Sequence, residues 1–429
     1  MNGDMQQQRI GRAVFLLVAL ILAYILSFID RQVLALLVAP IKADLGINDF
    51  QIGLLQGLAF SLCFCIAGLP VGWLVDGFNR KYLVAAGIFV WSIATALCGL
   101  SSSFMQLFAA RMLVGIGEAV ITPAAYSMLA DAFPPRLIVR AMTTFSMAGV
   151  LGVGTAFLAG GSAIATISTM DALPFGLRPW QFAFILVGLP GVLVALFFLL
   201  VHEPQRGPTA GEDVQPIATQ LRYLWSRRRE YLPYYLCSML LATIAYNGFV
   251  WMPTHLIRAF GLTAPEAGYI LGVIYLCASV LGTIAATMTT ERFQRQNLAH
   301  APMRTVFIIA LCTMALGLTP LAGSLWITIM LFAPLAFLMS GYYGNIVAAL
   351  QMITPPRLRG INSAFFILVT NLGSLGIGTA VIGAMSHGIF RGQPGGVGVS
   401  MAVVNCLCAT LAAVIVWRKI LRGDTPIRD

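Results

Sequence analysis

Residues 149–156 read GVLGVGTA and residues 373–380 read GSLGIGTA, so one glycine-rich octapeptide occurs twice in the chain. The tetrapeptide PPRL stands before both copies, at residues 134–137 and at residues 355–358. The matches follow the same order at nearly the same offset, which makes coincidence a poor explanation. They predict a chain that consists of two duplicated halves.

The composition around the repeats is typical of a membrane protein. Of the 429 residues, 59% are hydrophobic and 10% are charged, and the mean hydropathy is +0.87. Apolar runs of about 20 residues, each long enough to cross roughly 30 Å of hydrocarbon, recur along the chain. They predict about twelve membrane-spanning helices, with approximate bounds 13–39, 50–75, 82–101, 104–130, 138–161, 180–202, 231–257, 265–289, 302–322, 324–353, 361–387 and 397–417.

The duplication predicts how the spans are grouped. A weaker match between residues 76–80 and residues 291–295 supports the same pairing of halves. We therefore predict an all-α polytopic membrane protein with two pseudo-symmetric six-helix bundles. Parallel repeats of this size resemble the architecture of the major facilitator superfamily, in which substrate binds between the halves near the middle of the membrane. The predicted divisions are an N-terminal bundle at 1–202, a cytoplasmic linker at 203–230, a C-terminal bundle at 231–417 and a cytoplasmic tail at 418–429.

The basic residues predict the orientation, because Lys and Arg in short loops are held on the cytoplasmic side. If both termini are cytoplasmic, the basic residues that fall outside are Lys42, Arg178, Arg258 and Arg391. The net charge of +10 then follows from topology and from anionic lipids of the inner leaflet, so nucleic-acid binding is not predicted. Four tryptophans lie near span ends, where tryptophans anchor a chain at the interface; they are Trp180, Trp251, Trp326 and Trp417.

The eight cysteines all fall inside predicted spans, where they are expected to pack as small apolar residues. We predict neither a disulfide nor a metal site, and no cofactor. The expected protein is a monomer of a bacterial inner membrane, with the lipid bilayer as its surroundings.

Charged residues inside the apolar runs are the sharpest functional signal, and they are Asp30, Arg31, Arg111 and Glu118. A charge at the centre of an inserted helix costs roughly 2.5 to 3.5 kcal/mol on insertion scales. Two acids and two bases offset one another only if the helices that carry them meet. We therefore predict that the first and fourth spans meet around a water-accessible interior. The alternative is a static ion-pair network that only fixes helix packing.

The fourth span carries two of these charges on one face. Arg111 and Glu118 are seven residues apart, which places them two turns apart on the same side of a helix. Gly115 and Gly117 lie between them and permit the close approach of another helix. We expect that helix to be the first span, near Asp30.

The loop between the second and third spans resembles the cytoplasmic motif of the major facilitator superfamily. Gly72 is followed four residues later by Asp76 and then by the basic pair Arg80 and Lys81. Asp131 lies at the cytoplasmic end of the fourth span. These five residues are predicted to form a latch that holds one conformation. A basic loop that only fixes topology is the alternative for Arg80 and Lys81.

A closer resemblance is to the Spinster branch of the superfamily. It rests on Ile29-Asp30-Arg31, on RMLVGIGEA at residues 111–119, on FNRK at residues 78–81 and on Asp131, and it becomes generic in the C-terminal half. The resemblance implies a proton-linked carrier of lipid-like amphiphiles, such as lysophospholipids or sphingoid phosphates. It implies proton coupling by Asp30 and Glu118, with Arg31 and Arg111 as their partners. From the residues themselves we add the hypothesis that either acid takes up a proton when its arginine is engaged elsewhere, so that Arg31 or Arg111 binds the phosphate or carboxylate of a substrate.

The C-terminal half is expected to supply a neutral wall to the substrate site. Aligning the halves on PPRL places Phe332 opposite Arg111 and Met339 opposite Glu118, so the duplicated fourth helix has lost both charges. The polar side chains left as candidates for substrate contact are Tyr246, Asn247, Tyr342, Asn345 and Asn371. Ordinary interhelical packing is the alternative for the aromatic ones.

Other function classes stay open at this stage. A drug or organic-anion antiporter of the same fold is compatible with the pattern, and so is a membrane sensor that transports nothing. An enzyme is not predicted, because the spans lack a nucleophile with a base and lack a His and Asp metal set. The preferred reading is proton-coupled transport of an amphiphile by alternating access.

Overall fold

The computed structural model describes residues 2–170, 172–206, 217–355, 358–391, 393 and 395–421. The helices of the first half are α1 Asn2–Leu36, α2 Val38–Leu45, α3 Asp49–Gly53, α4 Ala59–Gly77, α5 Arg80–Gly99, α6 Phe104–Glu118, α7 Ile121–Ala132, α8 Pro135–Ser168 and α9 Pro179–Phe198. Those of the second half are α10 Ile217–Ser226, α11 Arg228–Val250, α12 Met252–Phe260, α13 Ala264–Arg295, α14 Ala301–Leu316, α15 Leu325–Ile353, α16 Arg359–Asn371, α17 Thr379–Gly388 and α18 Gly396–Ile415.

The predicted number of spans is confirmed within these described ranges. Eleven helical segments are long and apolar enough to cross a membrane. The pair α11 and α12 passes the same test with a bend of 47° and supplies the seventh span. The bend follows from the sequence, because Pro253 stands in the first turn of α12 and cannot donate a backbone hydrogen bond to α11.

Three spans contain π-helical turns that the sequence does not predict, and the one in the twelfth span, Val416–Leu421, follows α18. Leu54–Leu58 connects α3 to α4 in the second span, and Leu372–Gly378 connects α16 to α17 in the eleventh span. Such π-helical turns are rare and are found frequently at functional sites. The second copy of the glycine-rich repeat lies on such a turn, whereas the first copy lies inside the continuous helix α8.

The repeated glycines nevertheless pack in the same way in both halves. A Cβ at Gly149 of α8 would lie 3.1 Å from the Tyr24 ring of α1. A Cβ at Gly373, the equivalent glycine of the second copy, would clash with the Met239 sulfur of α11. The glycines of the fifth span thus receive side chains of the first span, and those of the eleventh receive side chains of the seventh. The duplication therefore extends to helix packing.

Contacts divide the chain into two compact units. Unit 1 consists of Met1–Ile47, Ala59–Gly211 and Thr263–Val273, and unit 2 consists of Asn48–Leu58, Glu212–Leu262 and Ile274–Asp429. The core of unit 1 contains the buried rings of Trp91, Trp180 and Phe184, and the core of unit 2 contains those of Trp251, Tyr231 and Phe366.

The interface role predicted for two tryptophans is wrong. Trp180 is 1% exposed and Trp251 is fully buried. The Trp180 indole donates to the Asp44 carboxylate in unit 1, and the Trp251 indole donates to the Thr379 carbonyl oxygen in unit 2 at 3.1 Å. Each ring has found a hydrogen-bond acceptor inside its unit, which is what a buried indole requires.

Candidate functional site

The four intramembrane charges all lie in unit 1, and the structure brings them together as predicted. Arg31 of α1 donates from Nε to Glu118 Oε2 of α6 at 2.6 Å, and its Nη2 contacts the same oxygen. Glu118 is fully buried, whereas the Arg31 side chain is 18% exposed. The first and fourth spans are therefore joined by a charge-assisted hydrogen bond, which is stronger than a neutral one.

Aromatic rings surround the Arg31 guanidinium. Its central carbon lies 4.5 Å from the ring centroid of Phe60, 5.2 Å from that of Phe28 and 5.6 Å from that of Phe64. Phe60 and Phe64 belong to α4, and Phe28 is one turn from Arg31 on α1. Such cation–π contacts favour a guanidinium in an apolar setting. The rings also leave an apolar lining beside a positive charge.

Arg111 of α6 also contacts the first span. Its side chain is 2% exposed, and Nη1 donates to the backbone carbonyl oxygen of Asp30 at 3.3 Å. Its guanidinium carbon lies 5.8 Å from the Phe60 centroid. Its Nε has no hydrogen-bond partner among the residues that the structure describes. One ring of α4 is thus placed beside both arginines.

Asp30 is the least satisfied member of the cluster. It is fully buried, and neither of its carboxylate oxygens accepts a hydrogen bond from any described residue. Glu118 Oε1 and the Thr95 hydroxyl of α5 are in the same condition. Buried polar groups in native proteins are normally hydrogen-bonded to protein or to ordered water. The cluster therefore has free acceptor capacity for water, a proton or a polar ligand.

The fourth span is interrupted immediately after its acidic residue. Glu118 is the last residue of α6, and α7 begins at Ile121. A Cβ at Gly115 would lie 2.5 Å from the Phe60 carbonyl oxygen, and one at Gly117 would lie 2.7 Å from the Trp91 amide nitrogen. The two glycines therefore admit α4 and α5, and our expectation that they admit the first span is wrong. Gly115 instead positions the aromatic rings of α4.

The predicted latch residue Arg80 is held by several groups at the other end of unit 1. Arg80 is 1% exposed and contacts the Asp131 carboxylate through Nη1. Its Nη1 also donates to Ser127 Oγ at 2.9 Å, and its Nε donates to Glu203 Oε1 at 2.8 Å. A guanidinium with this many acceptors is fixed in one orientation.

The structure shows hydrogen bonds for the latch residue Lys81 and open space at Gly72. The Lys81 amide donates to Glu203 Oε2 at 2.8 Å, and Lys81 Nζ donates to the Leu199 carbonyl oxygen at 3.0 Å. Gly72 lies within α4, with open space where a Cβ would be. The side chain of Asp76 lies outside the described residues. Sequence reasoning missed Glu203, whose only signal is an acid directly after the sixth span.

The asparagines Asn247 and Asn345 of unit 2, both substrate candidates, are hydrogen-bonded to other side chains of their bundle. Asn247 is fully buried and its amide nitrogen donates to Asn405 Oδ1 at 2.9 Å. Asn345 accepts from Thr290 Oγ1 at 2.6 Å and donates to the Gly341 carbonyl oxygen at 2.8 Å. These contacts satisfy polar groups within the helix bundle.

The other candidates of unit 2 are aromatic or lie beside an aromatic residue. Tyr246 donates to Asn371 Oδ1 at 3.2 Å, and both side chains are half-buried. Tyr342 is 6% exposed, and its ring meets that of Tyr343 edge to face. Tyr246 and Asn371 are thus joined by a hydrogen bond.

The positions equivalent to Arg111 and Glu118 line an apolar cavity in unit 2. Phe332 and Met339 lie on its wall together with Tyr275 and Phe249. The loss of both charges that the repeat alignment predicts is thus accompanied by aromatic packing. The fourth span thus carries a charge cluster in unit 1, whereas its repeat counterpart in unit 2 has apolar surroundings.

Comparison with known proteins gives the class of this protein. The family profile of the Major Facilitator Superfamily matches residues 20–376. The chain belongs to the Major Facilitator Superfamily. It therefore has the fold that the repeats predict and is a membrane transporter, not an enzyme.

Individual relatives place the chain near the Spinster proteins. It is 27% identical to human protein spinster homolog 1 over 411 residues, which cover 90% of this chain and 75% of that protein. It is 25% identical to a probable galactarate/D-glucarate transporter of Bacillus subtilis over 392 residues, which cover 84% and 83%. A bacterial homologue of the human lysosomal transporter Spinster, solved inward-facing and occupied, superposes with a TM-score of 0.81 at 25% identity, covering 95% of this chain and 97% of that one. The chain is a Spinster-like transporter.

Proposed function

We propose that this transporter couples proton movement to the transport of an anionic amphiphile of the lysophospholipid or sphingoid-phosphate class by alternating access. The observation that carries the proposal is the arrangement of Arg31. It is bound to one oxygen of a buried glutamate and is lined by three phenylalanine rings. A phosphate can replace the glutamate on the guanidinium, while an apolar chain packs on the rings.

The proposed coupling follows from the surroundings of Glu118. If a substrate phosphate takes Arg31, Glu118 loses its cation in a site without exposure to solvent. A lone buried carboxylate is costly in its charged form, so Glu118 takes up a proton at that moment. Asp30, whose oxygens have no described partner, is the second proton carrier. Substrate binding and protonation thus support each other.

The names of several relatives favour a second candidate. The Bacillus relative is a probable galactarate/D-glucarate transporter, and a relative from Escherichia coli is named a D-galactonate transporter, 25% identical over 408 residues. Arg31 and Arg111 are equally suited to bind a carboxylate. A sugar acid, however, would leave the rings of Phe28, Phe60 and Phe64 without an apolar partner. We therefore rank transport of an organic anion of this kind second.

A binding panel on the purified protein separates the two candidates. The probes are an oleoyl lysophosphatidylglycerol, galactarate and a cationic dye, each tested by calorimetry with the parent and with Arg31→Gln. We expect the lysolipid to bind the parent and to lose at least about tenfold in affinity with Arg31→Gln. Arg295→Gln, at an exposed site, is the control and should bind normally. Binding of galactarate alone would establish the second candidate, and equal lysolipid affinity in both variants would overturn the head-group assignment.

We also propose a cellular setting and an orientation. The bacterial relatives and the distribution of basic residues support a bacterial inner membrane with both termini in the cytoplasm. Epitope tags at the two ends, probed in intact and permeabilised cells, test the orientation. Labelling of either tag in intact cells would contradict it.

A further inference from the structure

Helix α10 is too short to cross the membrane. It has ten residues, Ile217–Ser226, and at 1.5 Å per residue it covers about 15 Å, which is half of the hydrocarbon core. It belongs to unit 2 and packs against α11 and α16 of the same unit. The charge cluster around Arg31 lies in unit 1, so α10 has no part in it.

The neighbours of α10 place it at a membrane surface. The span formed by α11 and α12 begins at Arg228, and the eleventh span begins at Arg359 of α16. The starts of these two spans lie together, because Tyr235 of α11 donates to the Asn362 side chain of α16. Helix α10 ends at Ser226, two residues before α11 begins. It therefore lies at the end of unit 2 where both spans enter the bilayer.

One side of α10 is covered by protein and another is open. Leu224 is 8% exposed, whereas Leu221 is 40% exposed and Trp225 is 70% exposed. Leu221 and Trp225 are four positions apart and so lie on the same side of the helix. Tryptophan is enriched at the headgroup level of membranes, and leucine and tryptophan form the apolar side of helices that lie in the interface. The open side of α10 has this composition.

Arginines border the open Trp225 ring. Arg222 is exposed and precedes Trp225 by three residues, so the two side chains are neighbours on the helix surface. The guanidinium carbon of Arg228 lies 5.3 Å from the centroid of the Trp225 ring, and its Nη1 donates to the Trp225 carbonyl oxygen at 3.0 Å. Arg229 follows and is also exposed. An apolar ring is thus placed among guanidinium groups.

The charge of this region is almost entirely positive. Four arginines and one acid, Glu230, occur between residues 221 and 230. Arg227 is paired with that acid at 2.9 Å. None of the ion pairs among the described residues includes Arg222, Arg228 or Arg229. These three guanidinium groups are left to bind anionic oxygens from outside the chain.

We propose that the open side of α10 and the start of α11 form a docking surface for the phosphate groups of anionic bilayer phospholipids. This lipid-docking surface consists of Leu221, Arg222, Trp225, Arg228 and Arg229. The apolar side chains enter the headgroup region, and the guanidinium groups donate charge-assisted hydrogen bonds to lipid phosphates. A soluble anion would use the arginines but would leave Leu221 and Trp225 exposed to water. The combination of charge and apolar area therefore fits a bilayer.

Docking anchors the segment between the sixth and seventh spans to the membrane at its C-terminal end. The inference goes beyond the proposed function, because it requires neither the proton nor the substrate proposed above. It is also independent of the predicted orientation, since both leaflets of a reconstituted bilayer carry the same lipids.

Fluorescence quenching by brominated lipids tests the lipid-docking surface. The full-length protein is placed in nanodiscs with equal amounts of phosphatidylglycerol and phosphatidylcholine, and the bromine atoms are carried by the chains of one lipid or of the other. Each protein is measured with and without Trp225→Phe, because the difference isolates the Trp225 signal from the other tryptophans. An arginine near an anionic surface contributes about a fivefold preference. We expect Trp225 to be quenched as if phosphatidylglycerol were enriched at least about fivefold over phosphatidylcholine.

Variants test the role of the arginines. Arg222→Gln combined with Arg229→Gln should lower the enrichment to less than about twofold, and each single variant should lie between this value and that of the parent. Arg292→Gln combined with Arg295→Gln removes the same charge from two exposed positions at the end of α13 and should keep the parent enrichment. Arg31→Gln should keep it too, so a failure of the proposed transport site and a failure of the lipid-docking surface give different results.

Several outcomes would overturn the proposal. Equal quenching by the two brominated lipids in the parent would exclude a preference for anionic lipid, and no quenching by either would place α10 away from the bilayer. Soluble glycerophosphoglycerol, the headgroup without its chains, should leave the enrichment unchanged. If it abolishes the enrichment, the partner is a soluble anion. An equal loss with the α13 control pair would show that net charge, and not the arginines beside Trp225, selects the lipid.

Discussion

Arg31 and Glu118 are joined through a single carboxylate oxygen. Both Nε and Nη2 of Arg31 contact Glu118 Oε2, and Oε1 has no hydrogen-bond partner among the described residues. Asp49 and Arg258, by contrast, use both oxygens and both terminal nitrogens. When an arginine changes partners, a contact made through one carboxylate oxygen loses less interaction free energy than a contact made through two. The first geometry suits an arginine that changes partners, and the second suits one that keeps its partner.

The contact between Arg31 and Glu118 predicts the effect of neutralising the acid. Glu118→Gln keeps a hydrogen-bond acceptor but removes the charge that competes with a substrate anion for Arg31. We expect an anionic lysolipid to bind about tenfold tighter, which corresponds to about 1.4 kcal/mol. Uptake driven by a pH gradient in proteoliposomes should be lost. Calorimetry and flux measurements check the two effects. Weaker lysolipid binding by the variant would contradict the proposed competition.

Glu291→Gln provides the matched control for that experiment. Glu291 is a carboxylate near the end of α13, with a side chain that is 54% exposed and paired with Arg295 at 3.6 Å. An exposed pair of this kind contributes little to structure. The variant should bind and transport as the parent does. A loss of uptake in this control as well would show that the assay responds to carboxylates in general.

We expect substitution of Asp30 to abolish proton coupling without lowering the stability of the fold. Neither carboxylate oxygen accepts a hydrogen bond within the described residues, so Asp30→Asn removes no side-chain hydrogen bond of the folded protein. We expect an unchanged or higher melting temperature in detergent, because the variant no longer buries a carboxylate. Exchange of labelled lysolipid across proteoliposomes should continue, while accumulation driven by a pH gradient stops. A melting temperature lowered by many degrees would identify Asp30 as a structural partner instead.

Much of the fold follows from sequence because hydrophobic length is a strong constraint in a membrane. Apolar runs predict the spans, and the repeats at residues 149–156 and 373–380 predict their grouping. The meeting of Arg31 with Glu118 is also predictable, since buried charges require partners. What the sequence does not reveal is backbone irregularity. The π-helical turn at 54–58 depends on packing against residues far along the chain, such as Thr379.

The same limit explains the errors at individual residues. Gly115 and Gly117 predict a close helix contact, but they do not identify the helix that makes it. The helices that approach them are α4 and α5. Trp251 has the position of an interface anchor and yet is buried, because the bend between α11 and α12 turns its indole towards Thr379. The sequence does not mark Asp49 as a charge inside the membrane, because Asp49 is the first residue of a helix and acids are common at that position. Its ion pair with Arg258 appears only in the structure.

At two glycines of unit 1, we expect replacement by alanine to change the stability of the fold in opposite directions. A Cβ at Gly117 would lie 2.7 Å from the Trp91 amide nitrogen and 2.9 Å from the Gly87 carbonyl oxygen, so Gly117→Ala must displace backbone. We expect a loss of about 1 to 3 kcal/mol. Gly72 has open space at that position, and Gly72→Ala should stabilise α4 by about 0.5 to 1 kcal/mol. Melting temperatures of the two variants, measured side by side, should move in opposite directions.

The Gly72 variant also tests the predicted latch. If Gly72 packs against another helix in a second conformation, then Gly72→Ala slows transport even though the protein melts at a higher temperature. Uptake in proteoliposomes therefore distinguishes the two roles. Transport at the parent rate together with a raised melting temperature would remove Gly72 from the latch. A lowered melting temperature would contradict the open space seen at this position.

We expect Arg80→Ala to cause the largest loss of stability among single substitutions of charged residues in unit 1. It contacts Asp131 and Glu203 and donates to Ser127, while its side chain is 1% exposed. Arg80→Ala removes the guanidinium that both carboxylates contact, and removal of one partner of a buried ion pair costs about 3 to 5 kcal/mol. Arg227→Gln, at an exposed pair with Glu230, is the control and should melt at the parent temperature. Thermal unfolding in detergent checks both variants. If Arg80→Ala melts with the parent, the Arg80 contacts do not hold this end of unit 1 together.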